Sequence, residues 1–306
     1  MNKDYLKNEA MRLCALCGAV KADGFETVIT GHDMPDCDSI ISAVMLRELL
    51  ARVGVESKVK FATRPDGVTE RICRELGVLD DVDFDGFGEQ DKLVLVDHHV
   101  TFYKNEIIAC IDHHTTPPEP DFALNLVLKA SSCGRIIYDL AVASGLSDVW
   151  MEKMAIYSVY LDTQSCLAPK FEKSDLPWLE DGIKRLGLDE KDLVKKGFCL
   201  NSLDESADVL AMYGYKRYEF NGKVGASTCI QIDSDESGWR EKIDEILDFL
   251  KEKMLCDGIG LWVFVVNKPS KVRSDLYFIR EDGVEVVSLN RLASRSRDVV
   301  PHMKNL

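Results

Sequence analysis

No uncharged apolar run in the chain approaches the roughly 20 residues that a membrane-spanning helix needs; a run such as Ile259 to Val266 is only long enough for a strand. A membrane span is therefore not expected. Positive charge is also in short supply: 38 Lys and Arg against 52 Asp and Glu leave a formal charge of −14, which argues against general affinity for nucleic acids or anionic membranes. A phosphate-bearing ligand would need a locally positive site. The N-terminal stretch MNKDYLKNEAMRLCALCGAV has acids in its first ten residues and an apolar segment broken by Arg12. That is unlike a secretory signal, and a soluble, cytoplasmic protein is expected. Three nucleotide and hydrolase signatures are missing: a GxSxG nucleophile elbow, a GxxxxGK[ST] phosphate loop and a GxGxxG fingerprint. Internal repeats and low-complexity tracts are absent too. The ten cysteines sit mostly inside apolar patterns, as Cys110 does in IIACID and Cys229 in ASTCIQI, and read as reduced core thiols. Cys14 and Cys17 form a lone CxxC with no second pair at zinc-finger distance, and read as a helix face.

What is present is enough for two packed cores: 306 residues, 46% of them apolar, at about 150 residues per domain. Short apolar runs at Thr27–Thr30, Ser57–Ala62, Lys92–Val96 and Ile107–Ile111 alternate with amphipathic stretches such as Ser39–Val53. That alternation predicts an α/β fold, a mostly parallel, doubly wound sheet flanked by helices. Helix-length periodicity at Cys133–Ser144 and Trp150–Leu161 closes the domain. The charged, turn-rich stretch from Pro177 to Lys196 places a boundary near residue 195, giving domains over 1–195 and 196–306. Beyond it, Tyr215–Phe220 and Lys223–Ile232 flank Asn221-Gly222, a strong hairpin signal. A helix at Trp239–Met254 and strands at Gly260–Val266, Leu276–Ile279 and Val284–Val287 complete a smaller α+β domain.

Five of the six histidines, His32, His98, His99, His113 and His114, fall in the first domain, each accompanied by acids. GHDMPDCDSI (31–40) lies between a predicted strand and a predicted helix, the position where ligands bind in open α/β sheets. His32, Asp36 and Asp38 there offer one imidazole and two carboxylates, a donor set suited to manganese, iron or zinc rather than calcium. Alternatively, Asp38 serves as the N-cap of the helix beginning near Ser39. The strands KLVLVDHH (92–99) and IIACIDHH (107–114) then deliver the same Asp-His-His triplet to the same sheet edge. Buried acids and imidazoles are costly there unless paired or bound to metal. A fourth segment, AIYSVYLDT (155–163), is an apolar helix-like run ending in Asp162. Together these residues can hold two divalent cations, an arrangement that activates water and stabilises both oxygens of a phosphoryl transfer without a nucleophilic side chain.

These four motifs, in this order, resemble those of the DHH phosphoesterase superfamily, and most closely those of the manganese-dependent family II inorganic pyrophosphatases. The tail SRSRDVVP (294–301) is similar to the Ser-Arg-Lys-Lys and Val-Val-Pro ending of that family, and the Gly-Gly-Gly-His tail of other branches is absent. The resemblance implies that His32, Asp36, Asp38, Asp97, His113 and Asp162 ligate two Mn2+ ions, with Mg2+ or Co2+ as possible substitutes. It further implies that Asp97 and His114 act in catalysis, that His114 contacts substrate, that Asp112 supports the ligands from behind, and that Lys216, Arg295 and Arg297 bind phosphate. His98 would line the cluster without an assigned role, and a homodimer through the first domain's sheet edge is implied as well. The departures are Ser296 for a lysine, His99 where asparagine is usual, a varied small-residue turn in SSCGRI (131–136), and TQSCLAPKFEKSDL after Asp162 in place of a Ser-Pro-Thr pattern. The expected activity is hydrolysis of pyrophosphate by a metal-activated water. Short polyphosphate, short oligonucleotides or cyclic dinucleotides are the enzymatic alternatives, and a non-catalytic nucleotide or metal sensor is the other class.

Overall fold

The computed structural model describes residues 2–80, 82–99, 103–114, 122–220, 222–232 and 237–304; the side chains of Phe220, Ser237, Arg295 and Ser296 also lie outside the description. Two units divide between Cys199 and Leu200.

The first unit opens with α1 (Lys3–Ala22), whose N-cap Asn2 side chain accepts from the Asp4 and Tyr5 amides. Then follow β1 (Thr27–Thr30), α2 (Cys37–Ala51), β2 (Lys58–Lys60), α3 (Gly67–Glu75), β3 (Val82–Asp83), β4 (Lys92–Val96), β5 (Ile107–Asp112) and β6 (Leu124–Val127). Helices α4 (Cys133–Ser144), α5 (Val149–Asp162), α6 (Leu176–Leu186) and α7 (Glu190–Gly197) complete it, and the division falls just past the end of α7. Among the described residues the sheet order is β3-β2-β1-β4-β5-β6, and every pairing is parallel. Both faces are covered. Val28, Leu93, Leu95 and Cys110 form one buried cluster, and the alternate residues Ile29, Val94, Val96 and Ile111 are equally buried, as the apolar runs of a doubly covered parallel sheet require. The expected doubly wound architecture is observed. In this strand order the connections run in opposite directions from β1 and β4, which opens a crevice at their carboxyl ends.

Two strands of this sheet escaped the sequence reading: β3 is only two residues long, and β6 follows a proline-rich stretch that masks its short alternation. Cys14 and Cys17 lie on α1, and all ten cysteines are free thiols.

In the second unit, α8 (Ala207–Ala211) precedes β7 (Lys216–Phe220), β8 (Lys223–Gln231), α9 (Ser237–Cys256), β9 (Leu261–Lys268), β10 (Arg273–Arg280) and β11 (Gly283–Leu289). A π-helical turn (Arg295–Val299) and α10 (Val300–Lys304) end the chain. The sheet runs β11-β10-β9-β8-β7, antiparallel except for β8 beside β9. The expected β7–β8 hairpin is present, with Gly222 at φ 74°; Asn221 lies outside the described residues. Val299 and Met303 pack on one sheet face against Leu261, Val263, Val265, Leu276 and Phe278. No helix among the described residues is long and apolar enough to cross a membrane.

Candidate metal centre

Each motif reaches the crevice for a local reason. Gly31 turns the chain out of β1: a Cβ there would sit 2.6 Å from Ser39 Cβ, so only glycine lets the strand end lie against the start of α2. Asp36, not Asp38, is the N-cap, accepting from the Ser39 amide at 3.0 Å; this corrects the capping alternative, and α2 begins two residues earlier than the spacing suggested. Asp38 instead occupies the first helical turn, is 1% exposed, and is tied from four sides. Its carboxylate accepts from the Cys133 amide (2.7 Å), the Gly134 amide (3.1 Å), Ser42 Oγ (3.1 Å) and Ser158 Oγ (2.5 Å). The SSCGRI turn thus offers the N-terminus of α4 to a carboxylate, a favourable end for negative charge.

Asp97 follows β4 in a left-handed conformation, φ 62°, one that non-glycine residues adopt mainly where surrounding structure enforces it. Its two oxygens diverge. Oδ2 accepts from Ser39 Oγ at 2.6 Å and lies 3.5 Å from His32 Nε2, while Oδ1 lies 3.2 Å from His113 Nε2. His113 donates Nδ1–H to the Ala130 carbonyl at 3.2 Å, which leaves Nε2 as the inward atom, 3.5 Å from Asp162 Oδ2 and 3.8 Å from Asp38 Oδ2. Asp162 closes α5. His32 Nε2 also lies 3.5 Å from Asp36 Oδ2. Two donor groups result, His32–Asp36–Asp97 and Asp38–His113–Asp162, each with its ligand atoms within 4.8 Å of one another. All six residues singled out as ligands from the sequence therefore come together.

Behind them, Asp112 at the end of β5 accepts from Nδ1 of both His99 and His114 and from the His113 and His114 amides at 2.7 and 3.1 Å. Two imidazoles on one carboxylate are each left with Nε2 as the outward nitrogen. Burial disfavours its ionised form, but His114 and His99 hold the Asp112 carboxyl well below the usual range. Asp97, Asp112, His113 and His114 make a further group of the same kind. His98 donates to the Val96 carbonyl at 3.2 Å and stands edge-on to His32.

The electrostatics identify what this cluster is short of. Burial opposes charge on His113, yet Asp97, Asp162 and Asp38 outweigh it and push its pKa up to about 10. His32, pulled down by burial, is raised to about 9 by Asp36 and Asp97. Burial together with Asp97 and Asp162 pushes Asp38 up to about 8, and burial raises Asp162 despite Lys170. Carboxylates outnumber the imidazoles, so protons are drawn in to compensate. Asp97 Oδ1, His113 Nε2 and Asp162 Oδ2 are moreover buried without any hydrogen-bond partner, a costly state for three polar atoms aimed at one another. A cation removes the deficit, and mixed imidazole and carboxylate donors suit manganese. The residues fit divalent metal.

In the second unit Lys216 opens β7 and shares a face with Tyr218, which packs against the cluster of Val299 and Met303. Arg297 donates Nη2 to the Leu292 carbonyl at 3.0 Å and approaches Asp298 with Nε at 3.4 Å. Arg295 lies in the same turn, its side chain outside the described residues. Sequence reasoning missed Ser39, Ser158 and Lys170: hydroxyls inside apolar runs and a lysine in a turn carry no local signal of what they touch.

A parallel sheet whose switch point is lined by paired carboxylate and imidazole donors defines a class, the metal-dependent phosphohydrolases. Residues 26–163 match the DHH family, N-terminal domain. Over 90% of the chain, and 97% of each relative, it is 24% identical to the manganese-dependent inorganic pyrophosphatase of Methanocaldococcus jannaschii and 22% identical to that of Methanothrix thermoacetophila. Among solved structures, a Methanococcus jannaschii protein assigned to the family II inorganic pyrophosphatases superposes with a TM-score of 0.70 at 20% identity, covering 91% of this chain and 98% of the other.

Proposed function

We propose that this chain is a manganese-dependent hydrolase of phosphoanhydride bonds and that its substrate is inorganic pyrophosphate. The observation that carries the reading is the convergence of Asp97 Oδ1, His113 Nε2 and Asp162 Oδ2, buried and unpartnered, between two donor groups that Asp97 spans. His32, Asp36 and Asp97 would hold one Mn2+, and Asp38, His113, Asp162 and the other oxygen of Asp97 a second. Bound there, the ions would supply Lewis acidity and a water acidified to hydroxide near neutral pH.

The chain's own groups do the rest. Ser39 fixes the Asp97 carboxylate so that its oxygens address both groups, and the α4 amides hold the Asp38 carboxyl in place. Asp112 orients His114, whose Nε2 is turned outward as a proton donor to a phosphate oxygen; its pKa is raised first by the hydrogen bond to Asp112, which outweighs burial. Lys216, Arg295 and Arg297 supply phosphate-binding cations, Arg through paired N–H donors and Lys as a point charge. A homodimer through the edge of the first unit's sheet belongs to the same reading, and sedimentation tests it.

Phosphate release is to be followed from pyrophosphate, tripolyphosphate and a dinucleotide side by side, with and without Mn2+. Manganese-dependent release fastest from pyrophosphate is expected, with Asp97→Ala and His113→Ala lowering it by about 1000-fold or more, the scale of losing a metal-centred mechanism. Release that is independent of Mn2+, or retained by both variants, rules out the reading.

A further inference from the structure

The segment after Asp162 departs from the pattern expected of pyrophosphatases, and its backbone is unusual. Gln164, Ser165 and Cys166 are three consecutive non-glycine residues in the left-handed region, at φ 50°, 57° and 65°. Such a run costs energy and persists only where its surroundings over-determine it. Here they do. The Ser165 amide donates to the Tyr160 carbonyl at 2.8 Å, the Cys166 amide to Thr163 Oγ1 at 3.0 Å and the Ala168 amide to the Thr163 carbonyl at 2.8 Å. Ser165 Oγ reaches the Val194 carbonyl at 3.0 Å. Past the turn, the Glu172 amide donates to Ser131 Oγ at 3.0 Å. Between these two anchorages the chain doubles back and sets Lys170 Nζ 2.5 Å from Asp162 Oδ1.

Two consequences follow from that contact. Asp162 has one oxygen engaged by the ammonium and the other, Oδ2, buried beside His113, so Oδ2 is the oxygen that faces the cluster. The Lys170 side chain is 42% exposed while that of Asp162 is 8% exposed, and among the six ligand candidates the side chains that meet solvent are those of His32 and Asp36, at 34% and 48%. Lys170 therefore stands at the solvent side of the cluster. Its charge is not cancelled there once the site is loaded, because the carboxylates of Asp36, Asp38, Asp97 and Asp162 together offset two divalent cations. The ammonium then remains beside the loaded ions as a positive charge, in a setting where an anion is the ligand to be held.

Resting on the phosphohydrolase reading above, we propose that Lys170 is a substrate-affinity residue of the first unit: the strained turn after Asp162 presents its ammonium to the phosphate anion at the loaded metal site. Its task is anion binding rather than cation binding, since removing a positive charge beside a cation site does not weaken that site by Coulomb's law.

The test uses titration calorimetry on the full chain, comparing wild type, Lys170→Met and Lys170→Arg. Mn2+ is titrated into the metal-free protein, and inorganic phosphate into the Mn2+-loaded protein. In Lys170→Met the phosphate Kd is expected to rise about tenfold, the size of one charge-assisted hydrogen bond. The gap should narrow at high salt, Lys170→Arg should recover most of the affinity, and Mn2+ should bind all three proteins at least as tightly as wild type. That last result also certifies that the variants are folded. An unchanged phosphate Kd in Lys170→Met overturns the proposal. So does Mn2+ binding weakened tenfold or more, which would make Lys170 a support for Asp162 alone. Absence of phosphate binding by loaded wild type fails the underlying reading and this proposal together, and the variant comparison separates that outcome from failure of Lys170 by itself.

Discussion

Asp38 is held by a backbone that only glycine permits. The Gly134 amide donates to its Oδ1, and a Cβ at residue 134 would fall 2.4 Å from Ser158 Oγ and 2.8 Å from Ser158 Cβ. Ser158 is itself bonded to the same carboxylate oxygen, so the added methyl cannot be accommodated by a flexible side chain swinging away; α4 and α5 must separate. Gly134→Ala is expected to cost about 1–3 kcal/mol of stability, the usual toll of overpacking a core. It should also weaken Mn2+ binding, because the Asp38 carboxylate loses its anchored orientation. Urea unfolding reads the first effect and calorimetry with Mn2+ the second. Retention of both at wild-type values would mean that the α4–α5 seam is loose. At this scale the sequence was partly legible. Acids and histidines at the ends of apolar strands betray themselves because burial there is costly, which marks the segments, while the choice of six ligands within them is what the family resemblance implied. The choice between Asp36 and Asp38 as cap was not legible, since the helix could begin on either side of Cys37 and the decision rests on amides 95 residues downstream. Lys170 was hidden for a similar reason: its partner is fixed by a turn whose left-handed residues carry no glycine to mark them.

Among the elements, the C-terminal turn shows how a recognised motif can serve structure as well as substrate. Asp298 accepts from both Nη atoms of Arg291 and from the Ser294 amide at 2.8 Å, closing the turn that seats Val299 and Met303 on the sheet. The hydrogen bonds from Arg291 outweigh burial and hold the Asp298 carboxyl at about 2, below its ordinary 3.8. A carboxyl depressed on folding contributes stability fully above its unfolded value, and that contribution is lost as pH falls through the folded one. The difference in stability between wild type and Asp298→Asn is therefore expected to be constant from pH 7 to about 5 and to shrink between about pH 4 and 2. Denaturant melts monitored by the fluorescence of Trp262, which is buried in the same sheet, measure it, with Trp262→Phe identifying that signal. A gap that stays constant down to pH 2 would show that the Arg291 pair contributes nothing to folding. The strands of this unit were legible from their alternation and turns, whereas the role of Asp298 was not, because an acid following two arginines reads equally well as part of an anion grip.

For the whole molecule the decisive fact is uneven charge. A chain with a formal charge of −14 gathers four carboxylates at one sheet edge, and in the metal-free state they are balanced by protons drawn onto His32, His113 and Asp38 and by Lys170. Any ion that binds the folded chain more tightly than the unfolded one shifts the folding balance by mass action, by about 2.7 kcal/mol at 100 times Kd. Mn2+ is thus expected to raise the thermal midpoint by several degrees, and EDTA to reverse the rise. The protection should also be local. Every residue of the donor groups lies between His32 and Asp162, so hydrogen exchange should slow at the start of α2, at the carboxyl ends of β4 and β5 and at the end of α5, while β9 and β10 of the second unit exchange as before. In Asp97→Ala, which removes a carboxylate of one donor group that also lies against His113 of the other, neither the midpoint nor the exchange pattern should respond to Mn2+. A thermal rise that survives this substitution, or slowed exchange spread evenly over both units, would place the stabilising ion somewhere other than this cluster.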